Sequence, residues 1–321
     1  MYVIKTKRVK DMKDNKPKVK SISYAKWGYI FIIPFFLVYF IFTFYPQLLT
    51  IYNSFFENFR DGLTQIGPRF VGLQNYKTLL TPSENGTIDI IKYFGNTIIM
   101  WIMGAVPQFV IALLLAVFFT NTRLNIKGQR IMKTVIYMPN LIMASAFSML
   151  FYTLFSNVGP IKPLLVQTGL INESFDFFFI TISVRSLVAL LNFLMWFGNT
   201  TILLMAGIQA IDESLFESAR LDGASSTRVF FNITMPLLKP IFIYTFITSM
   251  IGGLQMFDVP SVLTNAKGTP NRTVMTVIMY LNNYLGGSNN YGMAGAISVI
   301  LFIVTAILSI IVFKTIDRDK G

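Results

Sequence analysis

The sequence predicts an all-α integral membrane protein, with six transmembrane helices and a cytoplasmic helical loop between the fourth and the fifth. Hydrophobic residues make up 54% of the 321 residues, and the mean hydropathy is +0.59. A soluble domain of this length usually carries fewer apolar residues. The apolar residues also gather in stretches of roughly 20, the length that a helix needs to cross a hydrocarbon core of about 30 Å.

Six apolar segments are long enough to be membrane spans, because each can satisfy its own backbone hydrogen bonds as a helix. In order, these predicted spans one to six run from Trp27 to Tyr45, Phe94 to Thr120, Thr134 to Phe155, Ser186 to Ile208, Leu237 to Phe257 and Tyr291 to Phe313. The first follows a basic stretch. It is too long for the apolar region of a signal peptide and has no small-residue cleavage site, so we expect it to remain as an anchor.

Lysine and arginine indicate the orientation, since short loops rich in these residues stay in the cytoplasm. Residues 1–26 hold nine basic residues against Asp11 and Asp14, and the loop after span two adds four more without an acid. The segment after span one instead balances four bases with four acids. We therefore expect a basic cytoplasmic tail over residues 1–26, a six-span domain over residues 27–321 and both termini inside the cell.

The net charge of +12 is then mostly a signal of topology. A role for the tail in binding anionic lipid or nucleic acid is the alternative. We expect membrane lipid, and no nucleic acid, among the partners.

Absent residue types narrow the function. The sequence has no cysteine and no histidine, so thiol chemistry, disulfides and the usual proton shuttle are missing. It also has no G-x-x-x-x-G-K-[ST] loop to cradle the phosphates of ATP. We expect no catalytic residue, no metal site and no cofactor in this chain. The chain is therefore not expected to be an enzyme, and the energy for its function must come from a partner.

The loop between spans four and five, residues 211–236, predicts a helical elbow. Asp212 is suited to cap a first helix, and Gly223 can take the left-handed conformation that ends it. Ser225 or Ser226 can cap a second helix, which we expect Pro236 to terminate near the membrane. An ordinary surface helix is the alternative.

The order of residues in this loop resembles the cytoplasmic coupling loop of importer permeases driven by ATP-binding cassettes. That loop has the form E-A-A, three residues, G, nine residues, I, two residues, L-P. The matching positions are Glu217, Ala219, Gly223, Ile233 and Pro236, with Ser218 replacing the first alanine and Met235 the residue before the proline. The resemblance implies that an ATPase subunit is contacted by Glu217, Ser218, Ala219, Asp222, Gly223 and Ala224.

Two further segments resemble the maltose and multiple-sugar group of these permeases. Leu254-Gln255-Met256-Phe257-Asp258 and Val262-Leu263-Thr264-Asn265 are similar to its L-Q-x-F-D and L-T-x-G-G-P region, although the G-G-P is degraded to Lys267-Gly268-Thr269-Pro270. Phe70-Val71-Gly72-Leu73-Gln74-Asn75-Tyr76 is similar to its F-x-G-L-x-N-Y pattern.

The resemblance implies a bacterial cytoplasmic-membrane protein with three kinds of neighbour. A second permease would complete the pathway, two cassette ATPase subunits would dock on the coupling loops, and an extracellular or periplasmic binding protein would deliver the sugar. ATP and Mg would be bound by the ATPase. This chain would form half of the path for a sugar or oligosaccharide.

A sugar path needs amides, hydroxyls and aromatic rings in preference to fixed charges. Asn192, Trp196 and Asn199 fall at i, i+4 and i+7 on one helical face of span four. The predicted substrate-lining residues are Ser145, Asn192, Trp196, Asn199, Gly252, Gly253, Gln255 and Met256. Helix packing is the alternative role for each of the small and polar residues among them.

Three other functions stay open. A glycerol-phosphate importer shares the architecture, but a dianion favours Arg or Lys in the spans, and the middle portions of the spans contain none. A secondary transporter or channel would be expected to use intramembrane acids or histidine, which the spans lack apart from the peripheral Asp258. A structural membrane protein would use the elbow only as a docking surface.

Overall fold

The computed structural model describes residues 25–84, 86–121, 124, 126–286 and 289–317, so most of the predicted basic tail lies outside the described residues. The chain divides into two units, Met1–Leu49 and Thr50–Gly321. The described part of the first is helical. Helix α1 (Ala25–Tyr39) passes through a π-helical stretch (Phe40–Phe44) into α2 (Tyr45–Asn53), which ends in the second unit. The predicted span Trp27–Tyr45 lies within this helical stretch.

The second unit opens with a β-hairpin, which departs from the all-α prediction. Strand β1 (Phe56–Asp61) pairs antiparallel with β2 (Thr64–Phe70), and Phe56 faces Phe70 at the open end. The turn between them contains Gly62 at a φ of +59°, a conformation that glycine adopts without steric cost.

Helices make up the rest of the second unit. They are α3 (Gln74–Leu80), α4 (Asp89–Thr120), α5 (Gln129–Tyr137), α6 (Ala144–Phe155), α7 (Ile161–Gln167), α8 (Thr181–Gln209), α9 (Glu213–Leu221), α10 (Ser226–Val229), α11 (Met235–Leu254), α12 (Asp258–Leu263), α13 (Val277–Gly286) and α14 (Tyr291–Asp317).

The F-x-G-L-x-N-Y segment joins the hairpin to α3 and holds the hairpin in place. Asn75 Nδ2 donates to the carbonyls of Ser54 at 2.9 Å and Phe56 at 3.0 Å, and Tyr76 donates its hydroxyl proton to Ser54 Oγ at 2.7 Å. Asn75 and Ser54 are buried, where unpaired polar groups would be costly. The motif therefore has a structural explanation.

Among the described residues, five helical stretches are long and apolar enough to cross a membrane. They are Lys26–Asn53, Asp89–Thr120, Thr181–Gln209, Ser226–Leu263 and Tyr291–Ile316. Predicted spans one, two, four, five and six each lie within one of them.

The third predicted span is a broken helix, which corrects the prediction of one continuous helix over Thr134–Phe155. Helix α5 and the 3₁₀ turn that follows it (Met138–Leu141) meet α6 at a bend of 93°. Pro139 lies inside the turn and has no N–H for a helical hydrogen bond, so the helix ends there.

The bend between α5 and α6 packs against α8. Asn140 Nδ2 donates to the carbonyl of Met195 at 3.1 Å. One turn further along α8, Gly198 leaves room for the backbone of the bend, because a Cβ there would overlap the carbonyl of Ile136. The broken span is thus packed against α8, which also contacts α4 and α11.

Pro236 does not end the second helix of the elbow, which corrects another prediction. Helix α10 continues through a π-helical stretch (Phe230–Thr234) into α11, and Pro236 lies in the first turn of α11. The N–H of Met235 bonds to the carbonyl of Phe230, five residues back. This wider turn accommodates the missing N–H and the ring of the proline. The second helix of the elbow and the fifth predicted span therefore form one helical stretch.

Candidate functional site

Three long helices, α4, α8 and α11, enclose a cavity of about 350 Å³. Helices α4 and α8 approach closely because Gly104 has no side chain, and a Cβ there would stand 3.0 Å from the carbonyl oxygen of Ala189. The cavity is lined by Trp101, Gly104, Ala105, Gln108, Asn192, Trp196, Asn199, Thr200, Leu203, Tyr244, Thr245, Thr248, Ser249, Gly252, Gly253 and Met256.

Every lining residue that the structure describes is uncharged. Each helix contributes one aromatic side chain: Trp101 from α4, Trp196 from α8 and Tyr244 from α11. Between them lie the amides of Gln108, Asn192 and Asn199 and the hydroxyls of Thr200, Thr245, Thr248 and Ser249. The surface therefore combines neutral donors and acceptors with flat apolar rings.

Gln108 and Thr200 form the polar contact between α4 and α8 at one end of the cavity. Gln108 Nε2 donates to Thr200 Oγ1 at 2.8 Å, and both residues are buried. Thr200 Oγ1 in turn donates to the carbonyl of Trp196 at 3.1 Å.

The predicted face of α8 lies on the cavity wall. Asn192, Trp196 and Asn199 all line the cavity. Asn192 Nδ2 donates to the carbonyl of Val188 at 2.8 Å and lies 3.5 Å from Met256 Sδ. Trp196 keeps 47% of its surface exposed, so its ring is accessible.

Gly252 and Gly253 are neighbours on α11 with opposite surroundings. A Cβ at Gly252 would meet nothing within 4 Å, whereas a Cβ at Gly253 would overlap Cδ1 of Trp101. Gly252 therefore widens the cavity, and Gly253 makes room for the indole from α4.

The elbow begins as its sequence predicts. Asp212 caps α9, and its Oδ1 accepts a hydrogen bond from the N–H of Ser214 at 3.0 Å. This hydrogen bond from the Ser214 backbone lowers the pKa of the Asp212 carboxyl below its usual 3.8, because the bond favours the ionised form. Ser225 caps α10 by accepting from the N–H of Arg228 at 3.3 Å.

The first helix of the elbow ends in a Schellman motif. Gly223 has a φ of +72°, and its N–H bonds to the carbonyl of Arg220 at 3.1 Å. The N–H of Ala224 reaches the carbonyl of Ala219 at 2.9 Å. The chain thus turns at Gly223 between α9 and α10.

The predicted ATPase-contact residues lie on α9 and in the turn that follows it. Glu217, Ser218, Asp222 and Gly223 are exposed, while Ala219 is buried. Ala224 lies in a cleft of about 290 Å³ between the elbow and the ends of α4 and α8.

The sequence profile of one protein family matches residues 97–320, a range that includes the cavity and the whole elbow. The family is described as the binding-protein-dependent transport system inner membrane component. The chain belongs to this transport family.

Two similar members of the transport family are named for the sugar that they transport. The lactose transport system permease protein LacF of Rhizobium radiobacter is 30% identical over 226 residues, which cover 70% of this chain and 75% of the relative. The arabinooligosaccharides transport system permease protein AraP of Bacillus subtilis (strain 168) is 29% identical over 313 residues, covering 94% and 93%.

A solved structure has the same fold as this transport component. It is the crystal structure of a bacterial ABC transporter involved in the import of the acidic polysaccharide alginate. The matched chain superposes with a TM-score of 0.75 at 21% identity and covers 92% of this chain and 96% of its own. The family membership inferred from the order of Glu217, Gly223 and Pro236 is confirmed.

Two predicted lining residues of this transport component lie outside the cavity lining. Ser145 is in the first turn of α6, and Gln255 is exposed where α11 ends. The structure brings together the other six predicted residues but not these two. The roles of all eight towards a substrate stay predictions.

The α4 wall of the cavity and part of the α11 wall were not predicted from the sequence. Trp101, Ala105 and Gln108 repeat on α4 the i, i+4, i+7 spacing that identified the α8 face. Ser249 and Gly252 are similarly three residues apart on α11. A search for polar and aromatic residues at this spacing in every span would have found Trp101 with Gln108 on α4 and Thr245 with Ser249 on α11.

Proposed function

We propose that this chain is the permease subunit of an importer for a neutral sugar or oligosaccharide, and that the cavity between α4, α8 and α11 is its half of the path. The observation that carries the proposal is the uncharged lining, with one aromatic side chain from each helix beside amides and hydroxyls. Such a lining suits the hydroxyls and apolar ring faces of a carbohydrate.

The relatives support a carbohydrate as the substrate, since two of them are named for the transport of lactose and of arabinooligosaccharides. The cavity favours a neutral one. A glycerol phosphate or an acidic sugar is best bound by Arg or Lys, and every described lining residue lacks a charge. The alginate importer chain shares the fold, but an acidic polysaccharide would need basic residues that this cavity lining lacks.

In the proposed arrangement the chain crosses the bacterial cytoplasmic membrane six times, with both termini inside. The broken pair α5 and α6 would provide the third crossing. Residues 1–26 would form the cytoplasmic tail and residues 27–321 the transmembrane domain.

The elbow is proposed to contact a cassette ATPase through Glu217, Ser218, Ala219, Asp222, Gly223 and Ala224. A second permease would complete the path, the second ATPase would dock on it, and an external binding protein would deliver the sugar. ATP and Mg would be bound by the ATPases, and this chain would hold no cofactor.

The continuity of the elbow with α11 suggests how the two sites communicate. The candidate span Ser226–Leu263 starts in the elbow and carries the cavity residues Tyr244 to Met256. Closure of the ATPase pair would move the elbow, and the same helical stretch would shift one wall of the cavity. The path would then open alternately to each side of the membrane.

Reconstitution tests the coupling to ATP. The chain is purified from native membrane with its associated proteins, placed in proteoliposomes and supplied with ATP, binding protein and a panel of neutral sugars. We expect ATP-dependent uptake of at least one sugar. Uptake that follows an ion gradient without ATP would contradict the proposal and favour a secondary transporter.

Cysteine labelling tests the cavity itself. The chain has no cysteine, so Gly252→Cys introduces one thiol into it, at a position where a side chain has open space. We expect the transported sugar to slow labelling of this thiol severalfold. Gly95→Cys, which also has open space but lies outside the cavity lining, is the control and should show no protection. Equal labelling of Gly252→Cys with and without sugar would contradict the cavity as the sugar path.

A further inference from the structure

Trp101 is held against α11 by three contacts, with Gly253, Ser249 and Phe246. A Cβ at Gly253 would overlap Cδ1 of Trp101 and stand 2.9 Å from its Nε1, so the indole occupies the space of the missing side chain. Its Nε1 donates to Ser249 Oγ at 3.3 Å. Phe246 meets the indole edge-to-face, with ring centroids 5.6 Å apart and planes at 72°.

These contacts determine what the indole can offer to a molecule in the cavity. The only polar hydrogen of the ring system already has an acceptor in Ser249. The surface that Trp101 contributes to the cavity lining is therefore apolar. An apolar, immobilised ring surface suits the C–H face of a pyranose.

The opposite end of the α4 wall is polar. Gln108 lies seven residues further along the helix, about 10 Å from Trp101 along the axis, and both residues line the cavity. Asn199 and Thr200 of α8 line the same cavity. A single pyranose ring is too short to contact both ends, whereas a disaccharide is long enough.

We propose that Trp101 is a specificity-determining residue that selects a neutral disaccharide or a longer sugar. One ring of the sugar would lie on the indole, which packs on Gly253, and another ring would lie near Gln108. The inference rests on the proposed sugar importer and deepens it by naming the length class and the residue that recognises it. Trp101 acts by direct contact with the sugar, and Gly253 and Ser249 position its ring.

The test uses the complete reconstituted transporter with its binding protein. KM and kcat of uptake are measured for a monosaccharide, a disaccharide and a trisaccharide of the same hexose. Trp101→Leu keeps an apolar side chain without the ring. We expect it to lower kcat/KM for the disaccharide about tenfold, and to lower that for the monosaccharide less than twofold.

Gly253→Ala tests whether the indole needs the space that the missing side chain of Gly253 leaves. The added methyl group displaces Trp101, so we expect a loss of about tenfold in kcat/KM for the disaccharide. The double variant Trp101→Phe and Gly253→Ala has a smaller ring and should recover part of that loss. Gly95→Ala adds the same methyl group to α4 where nothing lies within 4 Å, and should match the parent.

Two results would overturn the inference while leaving the sugar importer intact. One is an equal loss for all three sugars in Trp101→Leu, which would indicate a packing role. The other is an unchanged kcat/KM for all three sugars in Trp101→Leu, which would show that the indole does not contact the sugar. If Gly253→Ala fails to assemble, Trp101→Leu decides the question alone. Absence of ATP-dependent uptake of any neutral sugar by the parent protein would instead refute the proposed function.

Discussion

The guanidinium of Arg185 on α8 donates a hydrogen bond to Asn96 Oδ1 on α4 at 2.7 Å. It also donates to the carbonyl of Thr273 from Nη2 at 2.9 Å and from Nε at 3.1 Å. Asn96 Nδ2 in turn donates to the carbonyls of Arg272 at 3.0 Å and Met275 at 3.2 Å. The pair therefore ties two long helices to the loop that precedes α13.

We expect Arg185→Met to loosen that loop. Asn96 Oδ1 and the Thr273 carbonyl would lose a charged donor, which costs about 1.5–3 kcal/mol for such hydrogen bonds. Thermal unfolding of the purified complex should show a lower Tm than that of the parent. Lys92→Met, at an exposed position on the same helix as Asn96, is the control. Equal Tm values for the two variants would contradict the structural role of Arg185.

The buried pair Gln108 and Thr200 predicts non-additive effects on stability. Thr200→Val leaves the Gln108 amide without its acceptor, and we expect a loss of about 1–3 kcal/mol. Gln108→Leu combined with Thr200→Val removes both polar groups and should cost less than the sum of the single changes. Denaturation of the four proteins in a double-mutant cycle measures this coupling. A strictly additive result would show that the 2.8 Å contact contributes nothing.

Gly223→Pro should uncouple transport from ATP. Proline fixes φ near −65°, whereas Gly223 has a φ of +72°, so the turn between α9 and α10 cannot form. We expect normal membrane insertion and loss of ATP-dependent uptake. Gly128→Pro imposes the same conflict at a φ of +77° outside the elbow and serves as the matched control. Uptake retained by Gly223→Pro would refute the coupling role.

Because Asp212 caps α9, the stability of this helix should depend on pH in the acid range. The pKa of Asp212 in the folded protein is lowered from the usual 3.8, so the stabilising effect of the cap is complete above that value and is lost as the pH falls through the lower folded pKa. Asp212→Asn keeps a capping oxygen without the titration. Hydrogen exchange of the α9 amides, corrected for intrinsic rates, should show fraying of the parent below about pH 4 relative to the Asn variant. Identical profiles would contradict the cap's charge dependence.

The elbow could be predicted because its geometry is decided locally. Asp212, Gly223 and Ser225 each act on backbone groups within a few residues, and the structure places each as the sequence indicates. Pro236 was the exception. Whether a proline ends a helix or is absorbed by a wider turn depends on the chain that follows, here the apolar helix α11.

The cavity was predicted only in part because its walls depend on packing between distant segments. The α8 face was evident from three polar and aromatic residues at helical spacing. On α4, Gln108 is embedded in an apolar sequence, and which side of that helix faces α8 follows from contacts such as Gly104 with Ala189. The broken third span was missed for a different reason, since hydropathy does not register the N–H that Pro139 lacks.

The π-helical stretch Phe230–Thr234 connects α10 of the elbow to α11 of the cavity wall. A stretch of this kind has the geometry that remains when one residue is inserted into a regular α-helix. Deleting one residue there would restore the regular helix and turn the elbow by about 100° about its axis relative to the cavity wall. The direction in which the elbow points is therefore set by the number of residues in this stretch, so changes of length will be tolerated less well there than changes of side chain.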